Sequence, residues 1–185
     1  MSDQSIIEQC APTLAGLKTG SLFSVKREPD ENITEEIRKL NGLLREKGLR
    51  AIPVRNDEKR TLIYLYRPKL LEQDLKNPEA EKILAGRGYT CSNANICLLQ
   101  LIRHLSAKGD FPHEIGLFLG YPAEDVKGFI SHPNEGVKCV GCWKVYTDKE
   151  RAERIFCQYK RCTEIYKQQY QNGKPFSQLI VAAGC

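Results

Sequence analysis

The stretch LRAIPVRNDEKRTLIYLY at residues 49–66 indicates the fold class. Residues 49–54 and 60–66 are rich in aliphatic, β-branched and aromatic side chains, and the turn residues Asn56 and Asp57 stand between them. Two such runs around a polar turn predict a β-hairpin. The second run is apolar on both of its faces, which is typical of a central strand that is covered on both sides.

Helical patterns lie on both sides of this hairpin. Asn32 and Glu35 resemble a capping pair at the start of a helix with one apolar face. Residues 92–108 are too apolar for a surface helix, so we predict a core helix there. Thr147 and Glu150 predict the capping box of a last, long helix.

The remaining elements complete an α+β pattern. We predict further strands at residues 21–26, 137–146 and 178–182, and shorter helices at 2–9, 69–76, 79–85, 112–119 and 122–130. Together these elements predict a single α+β domain over residues 1–185. Its sheet has four to five strands and is packed with helices, which include a short helical hairpin.

Composition limits the functional classes. Of the 185 residues 41% are apolar, so a packed core is expected rather than disorder. The net charge of +5 is too small to imply nucleic acid by itself. No run approaches the ~20 apolar residues of a membrane-spanning helix. Asp3 and Glu8 interrupt any N-terminal export signal, so we expect a cytoplasmic protein with no membrane partner.

The chain contains eight cysteines. In a reducing cytoplasm we expect free thiols, most of them buried. Cys139 and Cys142 have a spacing that occurs in metal and redox sites. A structural zinc site needs two further ligands, and the sequence offers no matching second pair. We therefore assign no metal ligands and keep a metal- or redox-linked binding protein as an alternative.

Residues 113–130 fit a helix-turn-helix pattern, with Gly116 as its small residue and Gly120 as its turn glycine. A DNA-binding protein places the second helix of this motif in the major groove. That helix would present Glu124 and Asp125, which repel phosphates, and Lys127 alone would oppose them. The charges argue against nucleic acid and favour a compact helical hairpin, while an interaction module remains an alternative.

Several side chains carry candidate chemistry. His113 follows Pro112 in the first turn of a predicted helix, where the helix dipole favours neutral imidazole, a possible base. Cys10 precedes Pro12, and a helix that begins at this proline would favour a thiolate at Cys10. The alternatives are a helix-start histidine bonded to backbone and a buried packing cysteine.

Two lysines and two tyrosines are candidates for ligand binding. Lys18 follows the Cys10 segment and could hold an anion. Lys144 and Tyr146 share one strand face with Cys142 by alternation, which predicts either a solvent face or a polar pocket. Tyr121 belongs to the helical hairpin.

Three blocks of this sequence resemble an uncharacterised bacterial family, the domain-of-unknown-function family 3793. They are CAPTLAGLK at 10–18, FPHEIGLFLGYP with DVKGFI within 111–130, and GCWKVY at 141–146. The resemblance covers nearly the whole chain and implies a cytoplasmic protein of anaerobic, clostridia-like bacteria. It implies no activity, so it transfers no catalytic role to any residue.

These observations lead to one functional expectation with two alternatives. We expect a small-molecule enzyme or ligand-binding protein whose pocket contains Cys10 and His113 as catalytic candidates. Lys18, Tyr121, Lys144 and Tyr146 are its ligand-binding candidates. The alternatives are the helix-turn-helix-like module and the metal- or redox-linked protein. Whether the protein is an enzyme, which cofactor it uses and its oligomeric state all stay open.

Overall fold

A computed structural model describes residues 1–26, 32–90, 92–107 and 110–182 of the chain. The chain divides into two compact units, which are described separately. Unit 1 comprises residues 1–69 and 161–185, and unit 2 comprises residues 70–160. The fold class is α+β, as predicted. That the 185 residues form a single domain stays a prediction.

Unit 1 is built on a three-stranded antiparallel sheet. Its strands are β1 (Gly20–Lys26), β2 (Arg50–Asn56) and β3 (Arg60–Tyr66), in the order β1-β3-β2. The predicted hairpin is confirmed as the β2–β3 pair, and β3 is central as its apolar pattern indicates. The register of β2 shifts between Pro53 and Arg55, on an edge strand where proline is tolerated.

Two helices pack against this sheet in unit 1. They are α1 (Asp3–Leu14) and α2 (Ile33–Glu46), and their apolar side chains share one core with Ile63 and Leu65 of β3. Asn32 caps α2 through the backbone N–H of Glu35, as predicted. The predicted end of α1 before Pro12 is wrong, because α1 includes this proline. Its ring leaves the carbonyl of Glu8 without an N–H donor, and Glu8 is exposed to water.

Unit 2 is mostly helical. Its helices are α3 (Pro68–Leu75), which begins in unit 1, α4 (Pro78–Gly86), α5 (Ala94–Ser106), α6 (Ile115–Phe118) and α7 (Ala123–Ser131). The predicted core helix corresponds to α5, but Ile96 and Leu99 are exposed, so α5 buries one face rather than its whole surface. The predicted helical hairpin corresponds to α6 and α7, although α6 has only four residues and starts after His113.

A small hairpin and a long helix complete unit 2. The predicted strand at 137–146 is instead two short paired strands, β4 (Cys139–Val140) and β5 (Lys144–Val145), with Gly141 in the turn. Helix α8 (Lys149–Gln171) follows and contributes to both units. Asp148, rather than Thr147, accepts the backbone N–H of Arg151 at its start.

Two further expectations are corrected. The described strands number five, but they form two sheets rather than the single sheet of four or five strands that we predicted. The predicted strand at 178–182 is wrong, because helix α9 (Phe176–Leu179) occupies the start of this segment. Phe176 and Leu179 are buried in the core of unit 1. None of the described helices combines the length and the apolar character needed to cross a membrane.

Candidate functional site

Unit 2 contains a cavity of about 380 Å³, which we call the aromatic cavity. Its volume lies within the ~300–1,000 Å³ of typical small-molecule sites. The segment before α6, the helical hairpin and the β4–β5 hairpin supply its walls. The lining side chains are mostly apolar; they belong to Phe111, His113, Ile115, Tyr121, Asp125, Val126, Phe129, Val140, Trp143 and Lys144, with Gly116 and Gly141 between them.

Two glycines allow the walls to approach each other closely. A Cβ atom on Gly116 would lie 2.8 Å from Cγ2 of Val126, so glycine is required where α6 meets α7. A Cβ atom on Gly141 would lie 2.3 Å from the ring of Phe156 in α8. The sequence therefore specifies the packing of the cavity walls through residues that have no side chain.

Asp125 joins α7 to the β4–β5 hairpin. Only 2% of this residue is exposed. Its Oδ2 accepts the indole N–H of Trp143 at 2.8 Å, and its Oδ1 accepts the backbone N–H groups of Tyr146 and Thr147 at 2.9 and 3.0 Å. The hydroxyl of Thr147 also donates to Oδ1, at 2.9 Å. These four hydrogen bonds fix the hairpin, and they correct the expectation that Asp125 faces solvent.

Stacked aromatic rings form one wall of the cavity. The rings of Tyr121 and Trp143 stack with centroids 4.9 Å apart and an interplanar angle of 29°, and Phe156 packs edge-on against Trp143 at 4.6 Å. Burial, with a smaller contribution from the charge of Cys142, raises the pKa of Tyr121 to about 12. The Tyr121 phenol is therefore neutral at physiological pH. Trp143 is the only tryptophan of the chain.

Lys144 provides the cationic group of the cavity. Its Nζ donates to the carbonyl of Pro133 at 2.7 Å and to Oδ1 of Asn134 at 3.3 Å. It also lies 5.3 Å from the centre of the Phe129 ring. An ammonium has three N–H donors, so these contacts hold the charge in place while one donor is left for a ligand.

His113 lies in the same cavity, with its ring edge-on to Phe129 at 4.8 Å. The residue is exposed and precedes the four-residue helix α6, which begins at Ile115. The prediction that His113 stands in the first turn of a helix is therefore wrong, and the helix-dipole argument for its charge does not apply. Phe111 and Val140 are also exposed, so these three residues mark the opening of the cavity.

The structure also identifies a buried cluster next to His113 that the sequence did not reveal. Glu114 is buried and accepts the hydroxyl of Tyr89 at 3.0 Å, and its Oε1 lies 3.2 Å from Nδ1 of His104. The three residues are distant in sequence and no spacing pattern connects them. They fix the segment that carries His113.

Cys10 and Lys18 belong to unit 1. Cys10 lies inside α1 and is 0% exposed, so its predicted position before a helix N-terminus is wrong. Burial raises the pKa of the Cys10 thiol to about 12, although the nearby charge of Lys18 and a hydrogen bond with Ser21 act in the opposite direction. A neutral, inaccessible thiol is a poor nucleophile.

This burial predicts unequal thiol reactivity. At pH 8 we expect iodoacetamide to label the exposed Cys142 and Cys157 and to leave Cys10 unmodified until the protein is unfolded in urea. Peptide mass spectrometry after timed labelling measures the three rates. Labelling of Cys10 at the rate of Cys142 in the native protein would show that the thiol is accessible and ionised.

The structure gives little support to a metal site at the cysteine pair or to DNA binding by the helix-turn-helix pattern. Cys139 and Cys142 are not joined in a disulfide, and within the described parts of the chain no three His, Cys, Asp or Glu side chains are grouped to hold a metal ion. The exposed Lys127 on α7 forms an ion pair with Glu79 at 3.4 Å. That helix therefore presents little positive charge to a phosphate backbone.

Three of the six predicted site residues line the aromatic cavity, namely His113, Tyr121 and Lys144. Tyr146 lies outside the lining, and its hydroxyl donates at 3.1 Å to the Pro133 carbonyl that also holds Lys144. Sequence reasoning missed Asp125, Phe129 and Trp143 as members of the site. A usable signal was present, because most lining residues fall within the blocks at 111–122, 125–130 and 141–146.

Comparison with known protein families gives a match over most of the chain. The profile of the family described as "Protein of unknown function (DUF3793)" covers residues 6–180. No curated protein and no solved structure matches the chain. The matched range includes the sheet of unit 1 and every lining residue of the aromatic cavity. The chain belongs to the DUF3793 family.

Proposed function

We propose that the protein binds a small, flat, largely apolar molecule with an anionic group in the aromatic cavity. The carrying observation is that four aromatic side chains, His113 and the tethered ammonium of Lys144 line one cavity of about 380 Å³. Aromatic and aliphatic walls bury an apolar ring system, and a few polar groups set its orientation. The accessible charge is positive, because the carboxylate of Asp125 is occupied by four donors.

The chemistry of the lining supports binding more than nucleophilic catalysis. Among the lining residues that the structure describes there is no cysteine, serine or threonine. His113 is the group that can donate or accept a proton at the opening, so an acid–base role at this position belongs to the same proposal. We also propose a cytoplasmic location, because none of the six cysteines that the structure describes is in a disulfide, as expected in a reducing compartment.

A fluorescence titration tests this proposal. The anionic dye 8-anilinonaphthalene-1-sulfonate fits the proposed ligand class, and Trp143 is both the only tryptophan and part of the cavity wall. We expect saturable energy transfer from Trp143 to the dye. Lys144→Gln should weaken dye binding about fivefold, the loss expected for one partly exposed charge contact.

Two controls separate charge from packing. Lys127→Gln removes an exposed lysine outside the cavity and should leave dye affinity unchanged. The neutral parent compound N-phenyl-1-naphthylamine should bind the Lys144→Gln variant as well as the original protein. Absence of saturable transfer, or equal weakening by both lysine variants, would refute binding in the aromatic cavity.

A further inference from the structure

Unit 2 contains a second cavity of about 350 Å³, with mostly polar walls, which we call the polar cavity. Helices α3, α4, α7 and α8 contribute to it. Tyr121 and Trp143 line both this cavity and the aromatic cavity. The charged residues of the polar cavity are Asp74, Glu124 and Arg151.

Glu124 and Arg151 carry opposite charges at the polar cavity and form no ion pair with each other. Neither the Glu124 carboxylate nor the Arg151 guanidinium forms an ion pair with any residue that the structure describes. The hydrogen bond between Arg151 and Asp148 is made by the backbone N–H of Arg151 and not by its guanidinium. Asp74 adds a second carboxylate near Tyr159, whose phenol has its pKa raised mainly by burial and to a smaller extent by the charge of Asp74.

Three aromatic side chains accompany these charges. Tyr121, Trp143 and Tyr159 line the cavity, and burial raises the pKa of both tyrosines to about 12. Both phenols therefore remain neutral hydrogen-bonding groups. Ring faces attract ammonium groups electrostatically, so aromatic walls beside two carboxylates form surroundings that favour an amine.

The charges select among ligand classes. A purely cationic ligand would leave the Arg151 guanidinium without a counter-charge, and a purely anionic ligand would leave the Glu124 carboxylate without one. A ligand that carries both an ammonium and a carboxylate can pair with both kinds of group. Its ammonium can bind to the carboxylates of the cavity, and its carboxylate pairs well with the planar guanidinium. We infer that the polar cavity binds a small zwitterion of the α-amino acid class. This site is separate from the proposed function and does not depend on it.

Calorimetric titration with three compounds that share a phenyl ring tests the inference. L-phenylalanine carries both charges, phenethylamine carries only the amine, and 3-phenylpropionate carries only the carboxylate. In the Lys144→Gln variant, whose aromatic cavity lacks its ammonium, we expect L-phenylalanine to bind at least about tenfold more tightly than either of the other two, because each lacks one charge-assisted contact in the polar cavity. Equal affinity for all three compounds, or no detectable heat with L-phenylalanine at millimolar concentration, would overturn the inference.

Two variants show which cavity residue binds the amine of the ligand and which binds its carboxylate. Glu124→Gln should weaken the binding of phenethylamine and L-phenylalanine and leave the binding of 3-phenylpropionate unchanged. Arg151→Gln should weaken the binding of 3-phenylpropionate and L-phenylalanine and leave the binding of phenethylamine unchanged. Glu153→Gln and Arg154→Gln are matched controls on α8, since both residues are exposed and lie outside the cavity.

Unchanged affinity in both cavity variants would also overturn the inference. The dye titration of the aromatic cavity is a separate measurement. Failure of the dye with success of L-phenylalanine would remove only the proposed function, and the reverse result would remove only the zwitterion site.

Discussion

Replacing Asp125 by alanine is expected to lower the free energy of unfolding of unit 2 by about 3 to 5 kcal/mol. The carboxylate is buried and accepts four hydrogen bonds, from the Trp143 indole, two backbone N–H groups and the Thr147 hydroxyl. Alanine leaves these donors without an acceptor, and each buried unsatisfied donor costs about 1 to 3 kcal/mol. Urea denaturation followed by Trp143 fluorescence measures the change.

The neighbouring residue offers a matched control for this substitution. Glu124 occupies the same turn of α7 but is exposed, so Glu124→Ala should change stability by less than about 0.5 kcal/mol. Asp125→Asn keeps an acceptor for the backbone N–H groups but faces the indole N–H with an amide, and it should fall between the two. Equal stability of Asp125→Ala and Glu124→Ala would show that Asp125 does not hold the hairpin.

Replacing Arg67 by methionine is expected to destabilise unit 1 by about 3 kcal/mol. The buried guanidinium donates to the carbonyls of Thr13, Leu14 and Val181, each at 2.8 Å. Methionine retains much of the apolar volume and leaves these carbonyls short of donors. Cys10 is buried in the same unit, so the rate of its alkylation during gradual addition of urea reports the opening of unit 1.

The controls for Arg67 are a surface arginine and a conservative exchange. Arg55→Met removes a half-exposed pair with Asp57 and should have an effect below about 1 kcal/mol. Arg67→Lys keeps the charge but loses the planar arrangement of donors, so it should recover only part of the stability. Native-like protection of Cys10 in Arg67→Met would contradict a bridging role for the guanidinium.

Local pattern was sufficient to predict much of the fold. The hairpin at 49–66 could be predicted because its alternation, turn residues and apolar second strand all agree with the observed β2–β3 pair. The conformation of residues 178–182 could not be predicted, because a short apolar run has no periodicity that separates strand from helix. Its conformation depends on burial of Phe176 and Leu179 in the core of unit 1.

The site was predictable only in part, because it depends on contacts between distant segments. His113, Tyr121 and Lys144 were found by their chemistry and do share a cavity. Asp125 was misjudged, since an acidic residue in the first turn of a helix is usually exposed. Only the contacts of Asp125 with Trp143 and Thr147 in the structure show that its carboxylate is buried and accepts hydrogen bonds from both residues. Cys10 was misjudged for a related reason, because Pro12 does not interrupt α1.

The location of a bound probe tests the central claim most directly. In protein with labelled isoleucine and valine methyl groups, we expect intermolecular nuclear Overhauser effects between the ring protons of 8-anilinonaphthalene-1-sulfonate and the methyls of Ile115 and Val126, which line the aromatic cavity. The indole N–H resonance of Trp143 should shift in the same titration. Effects confined to exposed methyls outside the cavity, such as those of Val181, with an unshifted indole resonance, would contradict the account.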